Sequence, residues 1–540
     1  MATADSNDGY VSNDLEHVKR LSVHVNPRAM HCHAEPDLAT HPCVHRRRKS
    51  DSSLCSSNNW NFENATDHLE GPLMVGGDFN SIVSVAERLN GAPPHGGSME
   101  DFAAMLLDCG LLDGTIFSKF LTSTTLVLLP KKPNAYQWSD FHPISLCTIL
   151  NKIVTKLLGN RLAKILPSII LENQSGFVNG RFISDNILLV QELIGRIDAK
   201  SWGGNVVLKL DMAKAYDRLN WDFLYLMMEY FGFNAHWISM IKACISNCWF
   251  SLLINGNLVG YFKSEKGLRQ GDSISPFQFI LAADYLSRGL NHLFSRYNSL
   301  HYLLGCLMPI THLAFVDNIM ILTNGCRSAL QKVLSFLQEY EQVSGQQINH
   351  QKSCFIIANS CPLSRRQIIS HTTGFQHKTL PVTYLGAPLY KGSKKVILFY
   401  SLITKIRDRI SGWDNKVLSS GGCITLLRSI LSSLPMYLLQ VLKPPATVIE
   451  KIERLFNSFL WGDSTESKKM HWAAWSKTTF PCSEGELNIQ NLNDVCEAFP
   501  LKLWWRFQTG NSLRTQFLRI KYCKGGIPHY VQSKLHDSQA

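Results

Sequence analysis

The residues most capable of chemistry lie in two short stretches, 206–216 (VVLKLDMAKAY) and 311–322 (THLAFVDNIMIL). The first reads as a strand running into Asp211, with Val206, Leu208 and Leu210 on one face and Val207, Lys209 and Asp211 on the other. The second reads as a hairpin: two apolar runs flank Val316-Asp317-Asn318, which places Asp317 at the tip. An aspartate ending a buried strand near an aspartate at a hairpin tip can form a divalent metal site. Two ions on shared carboxylates would activate a 3′-hydroxyl and stabilise a leaving pyrophosphate. Taken singly, either aspartate reads more simply as a solvated carboxylate at a strand end.

The elements between and around them must do the positioning. Gly267-Leu268-Arg269-Gln270-Gly271-Asp272-Ser273 separates the two carboxylate stretches. The spacing after it predicts a helix start, with Ser275 as N-cap, Pro276 at the first helical position and Gln278 closing a capping box. Upstream, 126–130 reads as an apolar strand and 148–166 as a long helix, followed by a helix over 185–200. Downstream of Asp211, Asn220 is a good N-cap for a helix over 221–231. Residues 250–255 and 258–262 predict a hairpin around Gly256-Asn257, and 328–343 a further helix. Residues 396–460 are helical in pattern, broken at 419–422 and at Pro435.

The order of these motifs resembles the reverse transcriptases of non-LTR (LINE-type) retrotransposons, especially plant ones. The matching residues are Asp211 with Tyr216, then Arg269–Pro276 (RQGDSISP), then Phe315-Val316-Asp317-Asn318. The family has a second aspartate where this chain has Asn318. It has arginine at position 142, within Phe141-His142-Pro143-Ile144-Ser145-Leu146. Gln174-Ser175-Gly176-Phe177 with Gly180-Arg181 resembles the next fingers motif; 345–355 (GQQINHQKSCF) and Tyr384-Leu385-Gly386 resemble later ones.

The resemblance implies an α+β, right-hand polymerase fold with fingers, a palm built on an antiparallel sheet and a helical thumb. It implies an RNA-directed DNA polymerase in which Asp211 and Asp317 hold Mg²⁺. Tyr216 would sense the sugar, and Gln270, Arg181 and Lys352 would meet the incoming deoxynucleoside triphosphate. The implied partners are an RNA template and a DNA primer, with Gly267 and Gly271 allowing close backbone approach to them. Asn318 removes a negative charge from the implied metal cluster. His142 is a poorer bidentate phosphate partner than a guanidinium. The expectation is therefore an impaired polymerase, or a nucleic-acid-binding remnant without polymerase activity.

The whole chain sets the bounds. At 540 residues with 45% apolar content, it can hold two to four domains with real cores. No run of about 18 apolar residues suggests a membrane span, and no signal-peptide core is evident. Fifteen cysteines without a CxxC pair argue against both a disulfide framework and a ribbon-type zinc site. An intracellular setting, nucleus or cytoplasm, is expected. The net charge of +12 points to a polyanionic partner.

The expected divisions follow from these patterns. Residues 1–70 read as a disordered polar segment; the basic run 46–49 within it reads as a solvated charge run, and the His/Cys cluster at 31–45 fits no common zinc module. Residues 71–114 resemble a fragment of the endonuclease/exonuclease/phosphatase-type domain that precedes the polymerase in such elements. Asp78 and Asn80 of Gly-Asp-Phe-Asn carry that match, in a fragment too short to close the fold. A junction at 115–125 leads to fingers and palm over 126–386, a thumb over 387–470 and a Trp-rich extension over 471–540. Trp472, Trp475, Trp504 and Trp505 in that extension favour a packed helical module over a base-stacking surface.

Overall fold

The computed structural model describes residues 119–305, 308–413, 418–463, 469–524 and 526. The proposed nuclease residues Asp78 and Asn80, the basic run at 46–49 and the expected disordered segment lie outside the described residues. In chain order the strands are β1 Ser123–Pro130, β2 Phe141–Cys147, β3 Asn205–Leu210, β4 Trp249–Ile254, β5 Asn257–Lys263, β6 His312–Phe315, β7 Asn318–Asn324, β8 Cys354–Ile357, β9 Gln376–His377, β10 Val382–Tyr384 and β11 Ala387–Leu389. They belong to two compact units. Among the described residues, one comprises Arg161–Met227 with 276–524; the other comprises 119–160 with Met228–Ser275.

The first unit is built on a five-stranded sheet of order β6-β7-β3-β8-β9. Strand β3 is central and antiparallel to both β7 and β8. Every β3 residue is buried, Lys209 included at 9% exposure, so both faces of the sheet are covered. The alternation legible in the sequence therefore separates two packed faces. Val207, Leu322 and Ile356 join Leu193 and Ile194 of helix Ile183–Ile194 in one apolar core. That core runs on through Phe399, Ile406, Leu427, Val448, Ile452, Phe456 and Phe459.

Residues 396–460 are helical as the pattern indicates, in helices Tyr400–Ser411, Ser420–Ser429 and Ala446–Trp461. The expected break at 419–422 is instead a helix start, with Ser419 Oγ accepting from the Gly422 N–H at 3.2 Å, while Pro435 does interrupt the helices. The stretch Ser420–Leu439 is long and apolar enough to pass for a membrane span by composition. It is broken by a 3₁₀ turn at Leu431–Ser433 and by Pro435, and it sends Cys423, Leu427, Leu431 and Leu438 into the core.

The C-terminal extension is packed. Leu492, Cys496, Phe517 and Leu518 enter the same core. Asp185 of helix Ile183–Ile194 pairs with Arg506 at 2.7 Å and Arg514 at 2.9 Å. Of the four tryptophans, Trp475 packs on the core, while Trp472 (81%), Trp505 (69%) and Trp504 (44%) remain exposed.

The second unit holds a four-stranded sheet of order β2-β1-β4-β5. The β4–β5 hairpin turns at Asn255 and Gly256, both at positive φ, one residue earlier than the sequence indicates. Helix Ala235–Ile245, capped by Asn234 on the Trp237 amide at 2.7 Å, was not foreseen. The expected capping box at the start of helix Ser275–Arg296 does not form. Ser275 Oγ and both polar atoms of Gln278 are buried without a partner.

Candidate active site

Strand register brings the two aspartates together. Leu210 at the end of β3 faces Ile319 on β7, so the next residue, Asp211, runs level with Asn318 at the base of the β6–β7 hairpin. Phe315 pairs with Asn318, leaving a two-residue tip of Val316 and Asp317. The Asp211 backbone is fixed on both sides: its N–H donates to Ser353 Oγ at 3.1 Å and its carbonyl accepts from Asn349 N–H at 2.8 Å.

The electrostatics of the pair are those of a cation site. Close packing, then the charge of Asp211, push the Asp317 pKa up to about 6 from its ordinary value of 3.8. Three weaker influences oppose the rise: the Asp317 N–H, the Asn318 side chain and the Lys352 charge. Asn318 Nδ2 donates to Asp317 Oδ1 at 3.2 Å. Asn318 therefore faces its neighbour as a donor and partly satisfies the lone pairs a cation would take. Two carboxylates that repel each other in a packed site suit a divalent ion. Among the described residues there is no group of three or more Asp, Glu, His or Cys that could share one.

Tyr216 sits in the short helix Ala215–Arg218 and stacks on Phe279 with ring centroids 5.2 Å apart. Burial, then Asp317, raise its pKa far above the ordinary phenol value, so the ring is close to the carboxylates and stays neutral. Lys352 is exposed and follows a turn in which Asn349 Oδ1 accepts from its N–H at 3.2 Å. The first unit thus gathers Asp211, Asp317, Asn318, Tyr216 and Lys352.

Arg181 has other work. Its guanidinium donates to the carbonyls of Leu171 (2.5 Å), Gln174 (2.7 Å), Ile170 (2.7 Å) and Pro167 (3.3 Å). It gathers the end of helix Ile149–Ile169 and the Gln174 loop, and that occupation explains why nothing in its surroundings marks it for a phosphate.

Gln270 and His142 belong to the second unit. His142 lies on β2 opposite Leu129, and Ser145 of the same strand donates its N–H to the Gln270 carbonyl at 2.8 Å. Gly271, at φ 101°, would place a Cβ 3.2 Å from the Ser145 carbonyl; its close approach is to that strand. Beneath the loop, Arg269 and Asp272 form a buried pair at 2.6 Å, and Arg269 also donates to Asn151 Oδ1 and the Cys244 carbonyl. Burial alone would lower the Arg269 pKa; Asp272 and the surrounding thiols more than offset it, so the group stays charged. The pair was not foreseen, although an i, i+3 Arg–Asp spacing inside an otherwise uncharged motif is the signal that could have found it.

Residues 129–389 match the family described as reverse transcriptase (RNA-dependent DNA polymerase). With the sheet order and register above, that match describes these residues as a reverse transcriptase domain of right-hand polymerase fold, and retrotransposon proteins are among its relatives. The 149 kDa protein of transposon TX1 from Xenopus laevis is 25% identical over 390 residues, covering 71% of this chain and 28% of that protein. The Pol polyprotein of the type-2 retrotransposable element R2DM from Drosophila melanogaster is 26% identical over 257 residues, covering 47% of this chain and 22% of that protein. The chain thus spans less than a third of the length of these relatives. The telomerase of Candida albicans superposes with a TM-score of 0.39 at 14% identity, covering 71% of this chain and 60% of that one, too loosely to bear on function. Reverse transcriptases as a family use divalent metal ions.

Proposed function

We propose that this domain descends from an RNA-directed DNA polymerase of a plant-type non-LTR retrotransposon and that its catalytic power is strongly reduced. The observation that carries the reading is the register-imposed pair Asp211 and Asp317, with the second carboxyl held near pKa 6. Asp211 and Asp317 would hold Mg²⁺, which when bound would supply the charge that the developing phosphorane oxygens need. Tyr216 walls the sugar, and Lys352 meets the triphosphate. An RNA template and DNA primer are the macromolecular substrates, held mainly by charge, in keeping with the +12 balance. The division of the chain into fingers and palm at 126–386, thumb at 387–470 and extension beyond follows the motif order. The upstream patch with Asp78 and Asn80 is an inert nuclease remnant, and the site of action is the nucleus or cytoplasm.

A second reading is favoured by Asn318, whose amide occupies the Asp317 oxygen that the family's second carboxylate would leave to a cation. In that reading the domain binds nucleic acid without extending it. Primer extension on an RNA template with Mg²⁺, beside an Asp211→Ala protein, separates the two. Slow extension abolished by Asp211→Ala supports the first; salt-sensitive duplex binding with no extension supports the second. Extension that survives Asp211→Ala overturns the site.

A further inference from the structure

Val316, at the tip of the β6–β7 hairpin, has φ 56°. A positive φ at only the first central residue of a two-residue hairpin is the pattern of a type II′ turn, where glycine is the usual occupant. A buried, β-branched valine there is strained, so the surroundings must impose the conformation.

They do so through Gln174. Its side chain is 1% exposed and grips both polar groups of Val316: Oε1 accepts from the Val316 N–H at 2.9 Å, and Nε2 donates to the Val316 carbonyl at 3.2 Å. The carbonyl it holds belongs to the Val316–Asp317 peptide, and the N–H of that same peptide donates to the Asp317 carboxylate. One rigid amide plane therefore links the Gln174 side chain to the acid. Gly176 completes the grip. Its N–H donates to Gln174 Oε1 at 2.8 Å, and a Cβ added there would lie 2.6 Å from Val316 Cγ2 and 2.8 Å from Val316 N.

The loop itself is anchored. Gln174 bridges to Ala314 of β6, Ser175 donates its N–H to the Ala314 carbonyl at 3.0 Å, and Asn173 donates to the His312 carbonyl at 2.8 Å. From the other side Arg181 collects the loop carbonyls, and Asp284 accepts the Leu171 N–H at 3.0 Å.

We propose that Gln174 and Gly176 are positioning residues for Asp317: they force Val316 into its left-handed turn and so aim the carboxylate at the cation site. The proposal rests on the metal reading given above, and its test separates the two. Mn²⁺ binding to the full chain is measured by electron paramagnetic resonance in wild type, Gln174→Met, Gly176→Ala and Asp211→Ala. Outer-shell partners of metal ligands are commonly worth ten- to a hundredfold in affinity. Gln174→Met and Gly176→Ala are each expected to weaken Mn²⁺ about tenfold. Adding Val316→Gly to Gln174→Met should recover at least threefold, because glycine enters the turn without being forced. A residue of purely structural importance would show no such rescue.

If Asp211→Ala abolishes Mn²⁺ binding while Gln174→Met stays within twofold of wild type, the positioning role is overturned. If Asp211→Ala binds Mn²⁺ as wild type does, the metal reading has failed. Hydrogen exchange over residues 312–320 then decides the clamp alone. Faster exchange in Gln174→Met upholds it, and unchanged exchange overturns it.

Discussion

Two motifs of this domain hold charge in packed surroundings, and they do it in opposite ways. Beneath the Gln270 loop, Arg269 and Asp272 are opposite charges 2.6 Å apart, with side chains 3% and 1% exposed. At the β3–β7 junction, Asp211 and Asp317 are like charges brought close by a register that sets Asp211 level with Asn318, and one is driven toward its neutral form. The first arrangement compensates its own charge and holds a loop in place, although Arg269 Nε and Nη1 are buried without a hydrogen-bond partner. The second is unfavourable until a cation arrives. Both motifs look equally chemical in the sequence; only the sign of the pairing separates scaffold from candidate site.

The largest expected effect tests the scaffold half of this contrast. Asp272→Asn leaves Arg269 buried and uncompensated, and should destabilise the unit that contains it by about 3–5 kcal/mol. Urea denaturation followed by tryptophan fluorescence would read it; a loss under about 1 kcal/mol would mean the pair is not closed in solution.

On the site half, Asn318→Asp restores charge at the expense of stronger repulsion around Asp317. By analogy with the loss of one preorganised electrostatic group, primer extension with Mg²⁺ should rise on the order of 10²–10³-fold. An unchanged rate would show that charge at 318 does not limit the chemistry.

A pH series sharpens the comparison further. The Asp317 pKa is raised in the fold, from 3.8 to about 6. Between those values the native protein binds more protons than the unfolded chain, so the contribution of this residue to stability falls as pH rises through that window. In metal-free protein at pH 7.5, Asp317→Asn should therefore stabilise by about 1–2 kcal/mol, an advantage that shrinks toward zero near pH 4. Thermal melts in chelator at both pH values measure it. A destabilised Asp317→Asn protein at pH 7.5 would contradict the like-charge account.

The smallest effect concerns His142. Replacing it with arginine supplies a guanidinium fork on β2 and should lower the nucleotide KM by roughly three- to tenfold, with kcat little changed. Steady-state extension against nucleotide concentration reads this directly, and a change confined to kcat would remove His142 from the binding role.

The sequence by itself determined the central strand before Asp211, the hairpin tip at Asp317, the interruption at Pro435 and the order of the reverse transcriptase motifs. Each depends on local periodicity, on turn chemistry or on motif order, and all of these are written in consecutive residues. Asp211 and Asp317 could be named because a strand end and a hairpin tip are local signals. The tertiary structure alone decided that β3 is covered on both faces, because covering depends on which distant helices pack there. It also showed Arg181 donating to four carbonyls, Arg269 with Asp272 as a buried pair, and Gln174 gripping Val316 from 142 residues away. Arginine and glutamine carry the same donors whether they face a phosphate, a carboxylate or a backbone. Their role is set by which groups lack partners nearby, and that depends on distant segments of the folded chain.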